Sequence, residues 1–220
     1  MKNFIKLIIL ASFGFLAACN PVDNGWDSGV SNGKHDCSML AYLQKDSYNW
    51  DSTVLMIKQA GLENLFDGKD SKYKDITFFG PTNHSIRRFM LTYKIKQIKD
   101  MSPEFCRRMI MMHIINKRVM KSDISFRDME NIEIVGFTPL TTEGDIKLKA
   151  YKERESWGEI ENAGAEILYL LSENAGDREI PLASPDIETL TGVVHSLNYN
   201  YTIGDMMDED DLYQLIDELL

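Results

Sequence analysis

Apolar and polar positions follow two rhythms along this chain. The first half is helical in spacing. Ser38–Lys45 is predicted as a short helix with Leu40 and Leu43 turned inward. Asp51 or Ser52 is expected to cap a second helix carrying Val54, Leu55, Ile57 and Lys58, which Gly61 closes. Leu62, Leu65 and Phe66 form a third helical turn, stopped at Gly68. Asp75–Phe79 reads as a buried strand through Ile76, Phe78 and Phe79. Asn83 is expected to cap a helix bearing Ile86, Phe89, Met90 and Tyr93. Ser102-Pro103 starts another, with Ser as cap and Pro at the first helical position, where its missing N–H costs nothing. Met109, Ile110, Met112, His113 and Ile114 follow on that helix.

After residue 117 the period shortens. Glu133–Val135, Pro139–Thr142, Ile146–Tyr151, Glu166–Leu171, Ile187–Leu190 and Val193–Tyr199 are short, often β-branched or alternating, and separated by Gly, Asn, Asp and Pro. Helices first and strands second predict an α+β domain rather than alternating βαβ units. Asp205–Leu220 has the pattern of an acidic amphipathic helix, with Leu212, Leu215, Ile216, Leu219 and Leu220 on one side.

The N-terminus has a third pattern. Lys2 and Lys6 precede an apolar run from Leu7 to Leu16, and small residues follow directly before Cys19. Charge, short apolar core and small-residue cut site make a secretory signal, and the run is too short for a spanning helix, which needs about 20 apolar residues. Leu16-Ala17-Ala18-Cys19 resembles a bacterial lipobox, which implies cleavage after residue 18 and diacylation of Cys19. Two acyl chains give stable anchoring where one does not. Asn20–Lys34 is rich in Gly, Asn, Asp and Ser without a period, as expected of a tether. The expected organisation is a signal peptide at 1–18, a lipidated flexible tether at 19–35, one domain at 36–204 and the acidic helix at 205–220.

Charge narrows the partners. The formal net charge is −10, and loss of Lys2 and Lys6 with the leader makes it −12. Nucleic acid needs a basic face, and anionic lipid would repel this one, so the membrane contact expected is through the acyl chains alone. At 44% hydrophobic and 26% charged, the chain has the composition of a folded domain. Cys37 and Cys106 are the only other cysteines. An oxidising compartment permits a bridge between them, while the apolar helical setting of Cys106 also suits a buried thiol.

Three segments, in order, resemble the fasciclin (FAS1) domain. Thr77-Phe78-Phe79-Gly80-Pro81-Thr82-Asn83 is similar to its leading strand and Phe-Ala-Pro-Thr-Asn/Asp turn. Met109–Ile115 resembles its central Leu-x-Tyr-His-Val-Val segment, with Met112 where Tyr is usual. Thr191-Gly192-Val193-Val194-His195-Ser196-Leu197 resembles its closing Asn-Gly-Val-Val-His strand. The resemblance implies a wedge of N-terminal helices packed on an antiparallel β-sandwich. It gives Pro81, Thr82, Asn83, His113, Gly192 and His195 as motif positions, and it implies adhesion or binding of extracellular protein or glycan, without turnover.

The residues themselves offer little catalysis. No activated nucleophile, phosphate loop or ligand spacing is visible, and no metal or cofactor is expected. His113 and His195 lie among apolar neighbours and are expected in the core, each on a backbone carbonyl or hydroxyl. Asp208-Glu209-Asp210-Asp211 lacks the glycine and alternation of a calcium loop and reads as a solvated helix start. The tentative binding surface is Trp157 and Tyr151, in a region longer than the family minimum, with neighbouring Tyr169 expected in the core. An accessory subunit of an envelope glycan-uptake complex, docked through the acidic helix, is the alternative. A hydrolase on the same scaffold is a further one.

Overall fold

The computed structural model describes residues 33–127, 136–160 and 163–220. The signal peptide, Cys19 and most of the tether lie outside the described residues, as does the strand expected at Glu133–Val135. Residues Gly33–Leu220 form one compact unit. The tether expected at 19–35 joins the domain at its end: Lys34 pairs with Glu188 in a parallel bridge, and the N–H of His35 donates to Glu188 O at 2.9 Å.

The first helices follow their caps. α1 spans Met39–Lys45 behind Ser38, whose hydroxyl accepts from Ala41 N–H. α2 spans Ser47–Gln59 behind Asp46, which accepts from Asn49 N–H. It begins before the expected Asp51 or Ser52, because Trp50 is core and draws an extra turn inward. Gly61 (φ 64°) ends it, the short α3 covers Glu63–Phe66, and Gly68 (φ 68°) follows. Next come β1 (Ile76–Gly80), α4 (Asn83–Thr92), α5 (Pro103–Met111, capped by Ser102) and β2 (Ile114–Ile115). β3 (Thr138–Thr141), β4 (Lys147–Arg154), β5 (Glu166–Ser172), β6 (Arg178–Thr189) and β7 (Gly192–Leu197) complete the sheet, and α6 (Glu209–Leu219) closes the chain.

The expected antiparallel sandwich is corrected. The strands form one mixed sheet in the order β2-β1-β7-β6-β5-β4-β3, curling toward a barrel, with β1 and β7 parallel. The reason lies in burial. Every residue of β1 and β7 is buried, and a parallel pair is stable where both faces are covered. Phe66 of α3 meets Phe78 of β1 edge to face at 4.9 Å, and Trp50 of α2 lies against Gly80.

β6 is the strand that turns the sheet. It is longer than the expected Ile187–Leu190, since Pro181 and Pro185 hide its first half from a propensity reading. Its start pairs with β5 and its end with β7, and its register shifts between Leu182 and Ser184 and again between Ser184 and Ile187. Asp186 takes φ 58° within the second irregularity, as a bulged residue can.

Candidate functional site

The leading motif holds α2 against α4. Pro81 follows the end of β1, and its carbonyl accepts from the Thr53 hydroxyl. Asn83 corrects the sequence reading. It is the first residue of α4, whose N-cap is Thr82, and its side chain serves the other helix. Asn83 Oδ1 accepts from Ser52 N–H at 2.7 Å, while Nδ2 donates to Tyr48 O at 2.7 Å and to Ser47 O at 2.9 Å. The amide thus spans the two groups that one i→i−4 bond of α2 would join. Gly80 stands where the family commonly has Ala because a Cβ there would lie 2.6 Å from the Trp50 ring.

The closing motif needs its glycine. Gly192 has φ 148°, and a Cβ would meet Ile76 O at 2.0 Å. That close approach lets β7 run parallel to β1 from their first residues onward.

Both motif histidines are in the core, with different partners. His113 Nδ1 lies 2.7 Å from Met109 O, which can only accept, so Nδ1 carries the proton and Nε2 accepts from the Tyr201 hydroxyl at 2.8 Å. Burial pushes its pKa down to about 4, against the smaller opposing effect of the Met109 carbonyl. His195 has the other tautomer. Its Nδ1 accepts from Asp186 N–H at 3.1 Å and its Nε2 donates to Val119 O at 2.8 Å. Burial lowers its pKa, with Val119 O and the Asp186 carboxylate opposing. Every ring nitrogen is occupied, three of them on backbone and His113 Nε2 on the Tyr201 hydroxyl. His195 pins the β6 bulge, whose Asp186 carboxylate also accepts from Lys121 N–H.

The two tentative surface aromatics separate. Trp157 is 76% exposed at the tip of the β4–β5 hairpin, where its backbone pairs with Ile160 across Gly158. Tyr151 is corrected: it is fully buried, its hydroxyl bonds Glu179, and its ring stacks 5.2 Å from that of half-buried Tyr169. β4 is two-sided at that point, with Ala150, Tyr151 and Lys152 all buried. Cys37 and Cys106 are unbridged, and burial pushes the Cys106 thiol up to about 11.

Two concavities were invisible in the sequence. A groove of about 460 Å³ lies between the end of α5, the β3–β4 turn and α6, floored by Met111, Met112 and Leu215. The central motif is beneath it. Gly144 packs so closely on Met112 that a Cβ would lie 2.8 Å from its backbone, which leaves Met112 only 4% exposed. The rim charges pair locally, Arg108 with Glu104 and Glu143 with Lys72. A second groove, of about 250 Å³, lies where the leading and closing motifs meet. Tyr42, Asp46 and Asn49 line it from the α1–α2 region, Thr82 and His84 from α4, Ser184 from β6, Ser196 from β7 and Tyr199 from the loop after it. Arg88 fixes that loop, donating to the carbonyls of Tyr199 at 2.8 Å and Asn200 at 2.7 Å. No local pattern singles out Arg88, Tyr42 or Tyr199, since they come together only through tertiary contacts. Among the described residues no group of three or more His, Cys, Asp or Glu could hold a metal ion. None of the helices described is long and apolar enough to cross a membrane.

The three motif segments fall within the span of a known family model. A model of the fasciclin domain matches residues 49–199. One solved structure that matches is described as "a FAS1 Domain Pair from the Insect Cell Adhesion Molecule Fasciclin I". It is 12% identical at a TM-score of 0.43, with 76% of this chain and 46% of that one covered. The chain thus spans less than half of that protein's solved length. No curated protein matches in sequence.

Proposed function

Because the chain belongs to the fasciclin domain family, we propose that it is a cell-envelope lipoprotein, anchored through acyl chains on Cys19, that displays this domain to bind an extracellular protein or glycan without turning it over. Fasciclin domains are associated with adhesion and binding. The observation that carries the reading is Trp157, a large ring held 76% exposed at a hairpin tip. Aromatic side chains of this kind are the usual anchors of recognition surfaces. The motif histidines support it from the other side. A general base needs a free ring nitrogen facing a substrate, and those of His113 and His195 are occupied and buried.

The accessory-subunit alternative would dock the acidic C-terminal helix onto a partner through its exposed side, at Asp210, Asp211, Asp217 and Glu218. Its apolar side is packed on its own domain, with Leu215 buried and Leu212, Ile216 and Leu219 beside it. The test is capture from envelope extracts and on a glycan array by the full-length protein in detergent. Trp157→Ala is expected to reduce capture of protein from the extracts at an unchanged melting temperature. Conversion of any captured ligand into product would overturn the reading.

A further inference from the structure

We infer that the groove between Tyr42 and Tyr199 is a binding site for a neutral oligosaccharide. The inference rests on the binding-domain reading above and names the ligand class and the place. The first observation is unused hydrogen-bonding capacity converging on one concavity. The hydroxyls of Tyr42, Ser184 and Tyr199 and both ring nitrogens of His84 line the groove and make no hydrogen bond among the described residues. Asn49 gives its amide N–H to Asp46, which leaves its carbonyl oxygen free. Thr82 Oγ1, at the groove wall, is buried and also unpartnered. A buried polar group without a partner, as Thr82 Oγ1 is, has a cost that a ligand or water offsets, and the exposed groups beside it can exchange water for a ligand's hydroxyls.

The second observation is the aromatic flank. Tyr199 is 63% exposed on a loop that Arg88 fixes through three successive carbonyls. Tyr42, half-buried, is backed by the His35 ring at 4.5 Å. Sugar rings present apolar C–H faces and polar hydroxyl edges, so a groove with tyrosine rings at its flanks and neutral donors and acceptors between them matches both.

The same lining disfavours the other classes. No Lys or Arg lines the groove, Asp46 does, and the whole chain carries −10, so an anionic ligand is repelled. A peptide adding as a strand needs a straight open sheet edge. Here β1 and β7 are paired on both sides, and β6 is bulged where it lines the groove. A helix needs an open apolar trough, whereas Trp50 and Leu197 in the floor are 2% and 0% exposed.

The experiment is calorimetric titration of the full-length protein in detergent with neutral hexasaccharides of glucose, xylose and mannose, alongside polygalacturonate and a basic peptide. At least one neutral hexasaccharide is expected to bind. Tyr199→Ala and His84→Ala, both exposed and so compatible with folding, are expected each to weaken it about tenfold. Trp157→Ala is expected to leave it unchanged. Failure of every neutral sugar to bind at millimolar concentration overturns the inference, as does binding of the acidic polymer or the peptide alone, or binding indifferent to Tyr199 and His84. In those cases Trp157-dependent capture of a protein would leave the proposed function standing. Shortening of a bound hexasaccharide would instead overturn the proposed function.

Discussion

His113 links a single side chain to the stability of the whole domain. Its folded-state pKa of about 4 is below the ordinary value of 6.5, so the unfolded chain takes up a proton more readily than the native one. Stability is therefore fully present above about pH 6.5 and is lost as the pH falls toward 4. The shift corresponds to about 3 kcal/mol at most. Urea titrations at pH 7.5 and 4.5 are expected to show this loss, and His113→Gln to flatten the slope between them. His195, also depressed by burial, acts in the same direction. Gly192 and Asn83 give the matching steric and polar cases. Gly192→Ala puts a Cβ 2.0 Å from Ile76 O at a φ of 148°, and is expected to cost about 3 kcal/mol or more. Asn83→Ala removes three bonds to α2 and is expected to cost about 2 kcal/mol, while Asn83→Asp, which keeps only the acceptor, is expected to fall between. Thermal melts rank the three, and a ranking that puts Gly192→Ala mildest would contradict the parallel packing of β1 and β7.

At the scale of elements, the β4–β5 hairpin carries the clearest expectation. Trp157 makes no side-chain packing that its 76% exposure would let matter, so Trp157→Ala is expected to change stability by less than about 0.5 kcal/mol. The same element shows how far sequence reasoning reaches. Caps and periods were readable where the physics is local. Ser102 caps the helix expected of it, the helix expected at Ser38–Lys45 forms with Ser38 as its cap, and β1 is buried along its length as its run of apolar residues indicates. Asn83 looks like a local cap in sequence because its amide is used 31 residues away, by Ser52, and no local pattern reports such a partner. Tyr151 is buried against expectation because the alternation that sorts a one-sided strand fails on β4, which is covered on both faces in its middle. Only the second half of β6 is legible in sequence, since prolines weaken a strand pattern even where bulges accommodate them. The parallel pairing of β1 with β7 joins residues far apart in sequence, and periodicity carries no information about it. The groove at Tyr42 and Tyr199 was illegible for the same reason: its walls come from helix, strand and loop segments that only the fold assembles.

For the molecule as a whole, charge and anchor predict opposite responses to salt. A surface that holds proteins to anionic lipid is basic, loses its grip as ionic strength rises, and contributes about 1 kcal/mol per cation near the membrane. This chain has 34 acidic against 24 basic residues, so its folded surface has no net attraction to screen. An acyl anchor is different in kind. Its free energy is hydrophobic, about 0.8 kcal/mol per buried CH₂, and salt does not weaken it. If Cys19 is diacylated, the protein is expected to remain with the membrane fraction through a wash in 1 M salt (a concentration at which the screening length is about 3 Å) and to enter the detergent phase on extraction. Cys19→Ala is expected to fail at both steps and to incorporate no fatty-acid probe. The domain itself should be untouched by that change, because the compact unit begins at Gly33. Cys19→Ala protein recovered in soluble form should therefore melt like the wild type and retain Trp157-dependent capture. Equal fatty-acid labelling of the two proteins, or release of the wild type by salt alone, would remove the lipid anchor from the proposed function while leaving the fasciclin domain and its surfaces as described.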